Sequence, residues 1–371
     1  MLTETFSQLL QEQVLRAEQL KNTVHTDFTK RPIHIGIADG DGIGPIIVRQ
    51  AVKALQFLLA REIREQSVVL HTIEGLTIEN RLKTGKSVPD DTLQQIKGCS
   101  VLLKGPTTTP GGGTMTSANV TLRKELDLYA NIRPVCVPEE GIDWIFFREN
   151  TEGEYTLGSK GIEIPGLLAM DFKVITQAGT ERIARAAFDY AHQHGDCKVT
   201  IVTKANIMKK TDGLFSAICH EIAKQYPEVE CEEYYVDIMA ANLINPSTRS
   251  SFRVVLTPNL YGDILTDEAA QIQGGVGTAG SANIGSQYAM FEAIHGSAPR
   301  LIEQGLGEFA DPQSILRATV MMLDHIGLNT YADQLKHVLD CMHQEKLTPA
   351  PGGMTTDAFG DEVIRRLQVL G

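Results

Sequence analysis

The chain has 371 residues, 42% hydrophobic and 22% charged, which is enough for two domains of an ordinary globular protein. Its formal net charge of −12 argues against nucleic acid or an anionic membrane surface as the main partner, and no apolar run reaches the length of a membrane span. Six scattered cysteines without a Cys-x-x-Cys pair, and no secretory signal pattern, lead us to expect a reducing, cytoplasmic location.

The first predicted element lies before the main fold. Residues 5–22 carry apolar side chains at helical spacing among polar ones, which predicts an amphipathic helix. We interpret residues 1–31 as a helical extension used for packing or for a contact between subunits. From residue 32 onwards, strand-like segments alternate with helical ones, which is typical of the α/β class.

A glycine-rich turn follows the first buried strand, at residues 39–45. A strand, such a turn and a helix are where α/β proteins bind nucleotides. The glycines are spaced G-x-G-x-G rather than G-x-G-x-x-G, and Asp39 and Asp41 would repel a pyrophosphate. We therefore reject a Rossmann dinucleotide site at this turn.

Three arginines lie near the ends of predicted elements in this acidic chain. Arg123 lies on a helix predicted over 117–128, Arg133 follows that helix, and Arg148 comes directly after the apolar strand 142–147. Guanidinium groups bind carboxylates through paired hydrogen bonds, so the three residues are candidates for binding an anionic substrate. Ordinary surface salt bridges are the alternative.

Two aspartates lie four residues apart on a predicted helix. Asp263 and Asp267 would share one helical face, where two carboxylates repel each other unless a cation neutralises them. Mg²⁺ and Mn²⁺ prefer such oxygen ligands, whereas a solvated acidic first turn is the alternative. Lys204 and Asp237 follow predicted strands, which indicates a cleft at the carboxyl edge of a sheet.

Eight motifs occur along the chain in one order: GDGIGP, S-x-N-x-x-x-R, LDLYANIRP, RENTEGEY, KAN, NLYGDILTDEAA, SANIG and HGSAP. Together they resemble the β-decarboxylating dehydrogenases, the isocitrate/isopropylmalate dehydrogenase family, over about residues 32–371. The resemblance implies a non-Rossmann α/β fold, with a large cofactor-binding domain (32–127 plus 274–371) and an inserted smaller domain (128–273) that carries a short clasp. It also implies a homodimer or higher homo-oligomer whose subunits share active sites.

The resemblance further implies metal-dependent oxidative decarboxylation of isocitrate to 2-oxoglutarate, a tricarboxylic acid cycle reaction, with reduction of NAD(P). Tyr155 is the expected proton donor, and Lys204 of the other chain lowers its pKa. Mg²⁺ or Mn²⁺ is expected on Asp263, Asp267 and a partner's Asp237. The residues expected to bind substrate are Ser117, Asn119, Arg123, Arg133, Arg148 and Asn206.

The substrate prediction depends on the helix that carries Ser117 and Asn119. Their side chains offer hydrogen bonds that suit a third carboxylate, whereas isopropylmalate enzymes place Glu and Leu in this helix. The RENTEGEY segment also resembles isocitrate dehydrogenases. We therefore favour isocitrate, with 3-isopropylmalate, homoisocitrate and tartrate or malate as alternatives, since one methylene discriminates by only about 1–3 kcal/mol.

The cofactor prediction rests on the residues after HGSAP. Arg300 occupies the place of an Asp that is usual in NAD-dependent relatives, which favours NADP. Leu301 and residues 352–356 lack the Tyr and Arg of NADP-dependent relatives, and on balance we favour NAD. The resemblance places the cofactor against Ile37, Thr109, His295, Gly296, Ala298, Arg300 and Asp311.

The sequence departs from the family at three places. Thr116 precedes Ser117, the glycine loop reads TPGGGT, and residues 238–242 differ from the usual VDN-x-x-M-Q form. A non-catalytic regulatory paralogue is the remote alternative, but the expected Tyr, Lys and three Asp are all present. A metal-dependent binding or hydrolytic module is a further alternative, against which the three arginines and HGSAP argue.

Overall fold

A computed structural model describes residues 2–20, 25–111, 115–158, 160–195, 198–275 and 279–370. The α/β class is confirmed. The described helices are α1 Leu2–Gln19, α2 Gly44–Leu58, α3 Ala60–Arg64, α4 Ile78–Thr84, α5 Asp90–Lys97, α6 Ala118–Glu125, α7 Gln177–His194, α8 Thr211–Ala223, α9 Val236–Ile244, α10 Asn259–Ile272, α11 Pro299–Glu303, α12 Gln313–His325, α13 Asn329–Gln344 and α14 Thr356–Leu370. The described strands are β1 Ile33–Ala38, β2 Val68–Thr72, β3 Val101–Lys104, β4 Ala130–Val137, β5 Ile142–Glu149, β6 Ile162–Ile164, β7 Leu168–Met170, β8 Lys198–Thr203, β9 Glu230–Tyr235, β10 Val254–Thr257, β11 Gly280–Ile284 and β12 Ala289–Ala293.

The chain forms two compact units. One, here called the flanking unit, consists of Thr26–Leu128 and Gly274–Gly371. The other, here called the inserted unit, consists of Tyr129–Gln273 together with Met1–His25. Helix α1 is therefore grouped with the inserted unit, although the flanking unit follows it in the chain. In the described part of the chain, no helix is both long and apolar enough to cross a membrane.

The strands of the flanking unit are ordered β2-β1-β3-β12-β11. Strand β1 is parallel to both β2 and β3, β12 is parallel to β3, and β11 is antiparallel to β12. Every residue of β3 and β12 is buried, because helices cover both faces of a mostly parallel sheet. Apolar side chains of β3, α5 and α6 form one of the cores of this unit.

The strands of the inserted unit are ordered β4-β5-β10-β8-β9. Strands β4 and β5 are antiparallel, whereas β5, β10, β8 and β9 are all parallel neighbours. The carboxyl ends of these parallel strands meet at one edge of the sheet, and α10 begins directly after β10. Trp144, Phe146 and Leu265 belong to the core of this unit, so α10 is anchored on β5 by apolar packing.

Several predicted elements are confirmed and a few are corrected. Helix α10 is present as predicted, and β6 and β7 form a short antiparallel hairpin in the inserted unit. The helix predicted over 117–128 is shorter, since α6 ends at Glu125. In α1, Leu9 is buried, but most of the apolar stripe is exposed, so packing within this chain covers only part of it.

Candidate active site

The site in the inserted unit is built on the first two turns of α10. Gly262 allows this helix to lie close to the sheet, because a Cβ there would come within 2.3 Å of Thr257 Oγ1 and 2.5 Å of Arg148 Cγ. Asp263 and Asp267 follow on one helical face, as their spacing predicts. Their side chains are 39% and 66% exposed, so both carboxylates reach solvent.

Asp263 lies in a group with Arg148 and Tyr155. Arg148, whose side chain is 1% exposed, forms an ion pair with Asp263 Oδ1, and the Tyr155 hydroxyl donates to Asp263 Oδ2 at 2.7 Å. The guanidinium also lies over the Tyr155 ring, 5.6 Å from its centroid. Asn259 Oδ1 accepts from Arg148 Nε at 3.1 Å and from Nη2 at 2.7 Å. Arg148 therefore has a fixed orientation towards Asp263.

Asp267 has its own arginine. Arg133 Nη1 lies 3.1 Å from Asp267 Oδ1 and donates to Thr266 Oγ1 at 2.7 Å. The Arg133 side chain is 9% exposed, whereas its partner carboxylate is mostly exposed. The structure thus brings Tyr155, Arg133 and Arg148 to the same helix as the two aspartates.

Lys204 and Asp237 form a second group in the inserted unit. Lys204 Nζ donates to Asp237 Oδ1, and this hydrogen bond holds the pKa of the exposed Asp237 carboxyl below its usual range. The backbone N–H of Lys204 donates to the buried carboxylate of Asp212 at 2.7 Å, and Asp212 pairs with Lys173 at 2.6 Å. Asn206 lies exposed in the loop that follows β8.

The donor chemistry of Asp263 and Asp267 fits a hard divalent cation. Both ligand candidates are carboxylates on one exposed helical face, and Mg²⁺ commonly uses one or two protein carboxylates together with water and substrate oxygens. Among the described residues, no three His, Cys, Asp or Glu side chains gather into a group able to hold a metal. Asp237 therefore does not complete a three-aspartate group with the other two within the chain.

Arg123 of the flanking unit belongs to a buried ionic network that the sequence did not reveal. The Glu292 carboxylate on β12 forms ion pairs with Lys104 Nζ at 3.0 Å and Arg123 Nη2 at 3.2 Å. It also accepts a hydrogen bond from Asn283 Nδ2 at 2.9 Å. Burial acts to raise the pKa of Glu292, but the charges of Lys104 and Arg123 bring it down to about 2. A lone Glu inside an apolar strand (Phe291 to Ala293) was the signal that could have found it.

Ser117 and Asn119 lie at the start of α6, in the same unit. Ser117 is the N-cap residue, but its side chain makes no capping hydrogen bond. Asn119 Oδ1 accepts from Thr107 Oγ1 at 3.1 Å. Part of the TPGGGT loop, residues 112–114, lies outside the described residues.

The residues expected to bind the cofactor all belong to the flanking unit. Ile37 is buried in β1, whereas Thr109, Gly296 and Arg300 are exposed. His295 Nδ1 contacts the Gly296 carbonyl oxygen at 3.0 Å.

Two features of these residues fit a nucleotide. His295 Nε2 is buried without a hydrogen-bond partner among the described residues, and a Cβ at Gly296 would meet no atom within 4 Å. A polar ligand group could therefore approach this loop closely. Ala298 adopts a positive φ of 45° at the start of α11, and burial raises the pKa of Asp311, which accepts from the Gln313 backbone N–H at 2.9 Å.

The GDGIGP turn has a structural role in the flanking unit. The Asp41 carboxylate accepts hydrogen bonds from the backbone N–H groups of Ile78 and Thr108, both at 2.7 Å. The Ile43 N–H donates to the Ser297 carbonyl at 3.0 Å. The turn therefore connects the loops after β3 and β12 through hydrogen bonds. The Asp41 carboxylate is used for these bonds within the unit.

A family model described as isocitrate/isopropylmalate dehydrogenase matches residues 34–363. The chain belongs to this family. The resemblance that the eight motifs indicated is thereby confirmed. Family members are decarboxylating dehydrogenases that use NAD(P) and a divalent metal, act on small molecules and are commonly homo-oligomeric.

Similar proteins within the family differ in the activity that their names state. An isocitrate dehydrogenase (NADP) of Rickettsia bellii is 39% identical, with 90% of this chain and 69% of that protein covered. Subunit 2 of the mitochondrial isocitrate dehydrogenase (NAD) of Schizosaccharomyces pombe is 38% identical (89% and 86% covered). A homoisocitrate dehydrogenase of Methanocaldococcus jannaschii is 35% identical (90% and 97% covered).

A solved structure supports the fold of this family. The crystal structure of isocitrate dehydrogenase from Methylococcus capsulatus superimposes with a TM-score of 0.80 at 36% identity, over 91% of this chain and 99% of that one. The expected isocitrate dehydrogenase-type α/β fold is therefore confirmed.

Proposed function

We propose that this chain catalyses the oxidative decarboxylation of isocitrate to 2-oxoglutarate with reduction of NAD(P), as a homodimer or larger homo-oligomer. The observation that carries the proposal is the group on α10: Tyr155 and Arg148 both contact Asp263, and Arg133 contacts Asp267. A proton donor and two cations for carboxylates thus contact the helix that carries two candidate metal ligands, which is the set of groups that the reaction requires.

The arginines act on the carboxylates of the substrate. Arg133 and Arg148 carry guanidinium groups already fixed by Thr266 and Asn259, so they lose little freedom when they bind a carboxylate. In our proposal Arg123, Ser117, Asn119 and Asn206 provide the remaining contacts, and the hydroxyls and amides select a third carboxylate over an alkyl group.

Asp263 and Asp267, with Asp237 of the partner subunit, would hold Mg²⁺ or Mn²⁺. When bound, the metal would act as a Lewis acid on the oxygens at the reacting carbons and stabilise negative charge there. Asp237 contacts Lys204 rather than the other two aspartates in this chain. That arrangement supports a site completed by a second copy of the chain.

Tyr155 would hold the proton that replaces CO₂ on the substrate carbon. Its hydroxyl is oriented by the hydrogen bond to Asp263 Oδ2, so the phenol oxygen carries the proton beside the candidate metal ligands. Lys204 of the partner subunit would lower the pKa of that phenol by its positive charge and return the proton after turnover.

The cofactor would lie against the loop of His295, Gly296 and Ala298, with Ile37, Thr109, Arg300 and Asp311 around it. We propose NAD as the cofactor, because Leu301 and residues 352–356 lack the side chains expected to bind a 2′-phosphate. NADP is the alternative that Arg300 favours, and similar proteins are named for either cofactor.

One set of rate measurements tests this proposal. Initial rates are measured with isocitrate, homoisocitrate, 3-isopropylmalate and tartrate, each with NAD and with NADP in the presence of Mn²⁺. We expect isocitrate with NAD to give the highest kcat/KM. A higher value with isopropylmalate would overturn the role given to Ser117 and Asn119, and the absence of NAD(P)H formation with every substrate would overturn the proposal.

Homoisocitrate is the second candidate substrate, because a homoisocitrate dehydrogenase is nearly as similar to this chain as the isocitrate dehydrogenases are. One additional methylene changes transition-state binding by about 1–3 kcal/mol, which corresponds to a factor of about 10 to 200 in kcat/KM. The two substrates must therefore be compared side by side at equal metal concentration.

A further inference from the structure

Helix α1 contacts the rest of the inserted unit through a largely buried ion pair. Arg16 Nη2 lies 2.7 Å from Glu152 Oε1, and the Glu152 side chain is only 1% exposed. Arg16 Nε also donates to Gln13 Oε1 of its own helix at 3.2 Å, which orients the guanidinium. The N-terminal extension therefore places a cation on a carboxylate that water barely reaches.

Glu152 lies in a pocket shaped for a carboxylate. Thr176 donates to it twice, from Oγ1 to Oε1 at 2.5 Å and from the backbone N–H to Oε2 at 2.8 Å. Gly179 leaves the space for the carboxylate, because a Cβ there would come within 2.4 Å of Glu152 Cδ. An uncompensated charge in such a pocket is costly, so Arg16 has a large effect on whether Glu152 stays ionised and in place.

A second buried carboxylate makes the need for Arg16 greater. Glu149 lies at the end of β5 and accepts from the Glu152 backbone N–H at 2.6 Å. Burial raises the pKa of both carboxyls, the charge of Glu149 raises that of Glu152 further, and Arg16 acts in the opposite direction. Arg182 of α7 supplies positive charge to Glu149, and Arg16 supplies it to Glu152.

Glu152 is bonded directly to the site on α10. Its backbone carbonyl accepts from Asn259 Nδ2 at 3.0 Å, and the other end of that amide holds Arg148. Arg148 pairs with Asp263, and Asp263 accepts from Tyr155. Tyr155 itself is only three residues after Glu152 in the same loop. A shift of Glu152 would therefore move the candidate proton donor and the amide that holds Arg148.

We propose that α1 is a positioning element for the active site: Arg16, by pairing with Glu152, fixes the loop from Glu149 to Tyr155. The inference rests on the proposed function, since it gives Tyr155 the role of proton donor. Arg16 touches no reacting atom, so it is a positioning residue. Two other contacts of α1, Glu12 with Lys160 at 2.8 Å and the Phe6 and Phe172 rings at 5.9 Å, lie near the surface and hold the helix without reaching the loop.

The test compares Arg16→Gln with Arg16→Lys and with Glu12→Gln. Glu12→Gln is the matched control, because it removes an ion pair that also joins α1 to the rest of the inserted unit but in which both side chains are about half exposed. With isocitrate and NAD, we expect Arg16→Gln to lower kcat about tenfold while KM changes less than about threefold. Arg16→Lys keeps the charge and should recover most of the loss, and Glu12→Gln should match the wild type.

Hydrogen exchange of residues 149–158 gives a readout that does not depend on activity. The N–H groups of Thr151, Glu152 and Gly153 bond to Glu149 and to the Val174 carbonyl, so they are protected while the loop is in place. We expect their exchange to be about tenfold faster in Arg16→Gln and unchanged in Glu12→Gln. The double variant Arg16→Gln with Glu152→Gln should lose less kcat than the two single effects combined, because both substitutions break the same ion pair.

Two results would overturn the inference. If residues 149–158 exchanged hydrogen at the same rate in Arg16→Gln and in Glu12→Gln, Arg16 would not fix the loop. Faster exchange with an unchanged kcat would show that the loop does not position the reacting groups. If the wild type turned over no 2-hydroxy acid, the proposed function would be wrong, and the exchange data would still decide whether Arg16 fixes the loop.

Discussion

Glu292 shows how one side chain can hold two cations in a protein interior. Lys104 is fully buried and Arg123 largely so, and both contact this carboxylate on β12. Two cations are tolerated beside one carboxylate there because the Gly105 carbonyl also accepts from Lys104 Nζ at 2.8 Å and Asn283 also donates to Glu292 at 2.9 Å. The consequence for function is that Arg123, a proposed substrate ligand, has its position set by a residue on a neighbouring strand.

We predict that Glu292→Gln destabilises the protein by about 3–5 kcal/mol at neutral pH, because it leaves Lys104 buried without its counter-charge. The free energy of unfolding is measured by denaturant titration. Glu303→Gln, on the exposed surface of α11, is the control and should change stability by less than about 0.5 kcal/mol.

The difference in stability between the wild type and Glu292→Gln should depend on pH, in a direction set by the pKa of Glu292. The pKa of Glu292 is about 2 in the folded protein and near 4.5 when unfolded, so its ionisation stabilises the fold above pH 4.5. This stabilisation is lost as the pH falls from 4.5 towards 2. The difference in stability between wild type and Glu292→Gln should therefore narrow on acidification, and a constant difference would contradict the assignment.

At the scale of elements, the helical period of α10 and the point where it begins bring the two proposed metal ligands together. Residues four apart share a face, so Asp263 and Asp267 lie together, while Leu265 and Ala269 turn into the core. The helix begins directly after a buried parallel strand, which places its first turns at the carboxyl edge of the sheet.

We predict that Asp267→Asn weakens Mn²⁺ binding at least about tenfold, measured by titration calorimetry with isocitrate present, and leaves thermal stability nearly unchanged. The side chain is mostly exposed, so little packing is lost. Glu268→Gln, at the next position of α10, is the control and should bind Mn²⁺ like the wild type. Equal affinity in Asp267→Asn would remove this residue from the metal site.

The elements that the sequence predicted best are those with a strong local period. The amphipathic helix predicted over 5–22 is present as α1, and the helix predicted to carry Asp263 and Asp267 is present as α10. Strand β4, which begins at Ala130, and strand β11, which begins at Gly280, were not predicted, because a proline interrupts the first and small residues fill the second. Both strands have an antiparallel partner, and that non-local pairing is invisible in local sequence.

The sequence also could not predict the contacts within the site that join residues far apart in the chain. The spacing of the aspartates and the motifs identified the residues on α10, but not Asn259 as the group that orients Arg148. Nor could the sequence pair Arg16 with Glu152, which are 136 positions apart. Such pairs depend on tertiary packing, and they define the geometry that the motifs leave open.

At the scale of the molecule, the proposed catalytic groups form two sets within the inserted unit. Tyr155 contacts Asp263, whereas Lys204 contacts Asp237. No described group of three acidic, His or Cys side chains could hold a metal. These observations support sites in which each of two subunits supplies one set.

We predict that subunit mixing restores activity between two inactive variants. Tyr155→Phe and Lys204→Met homo-oligomers should each lose at least about a hundredfold in kcat. If the two residues act in one site from different chains, a mixed dimer has one site with both defects and one intact site. Random remixing of a dimer should then recover about a quarter of wild-type activity, measured after dissociation and refolding together. No recovery in the mixture would mean that Tyr155 and Lys204 of one chain act together.

The order of strands in the flanking unit has a consequence for biosynthesis. Strand β3 is made early, but its neighbour β12 follows only after the whole inserted unit, a delay of roughly ten to forty seconds at usual rates of translation. During that interval the apolar edge of β3 has no neighbour on one side and is open to pairing with other nascent chains. Lys104, at the end of β3, is fully buried in the folded protein and pairs there with Glu292. Before Glu292 is synthesised, we expect the charge of Lys104 to disfavour such pairing.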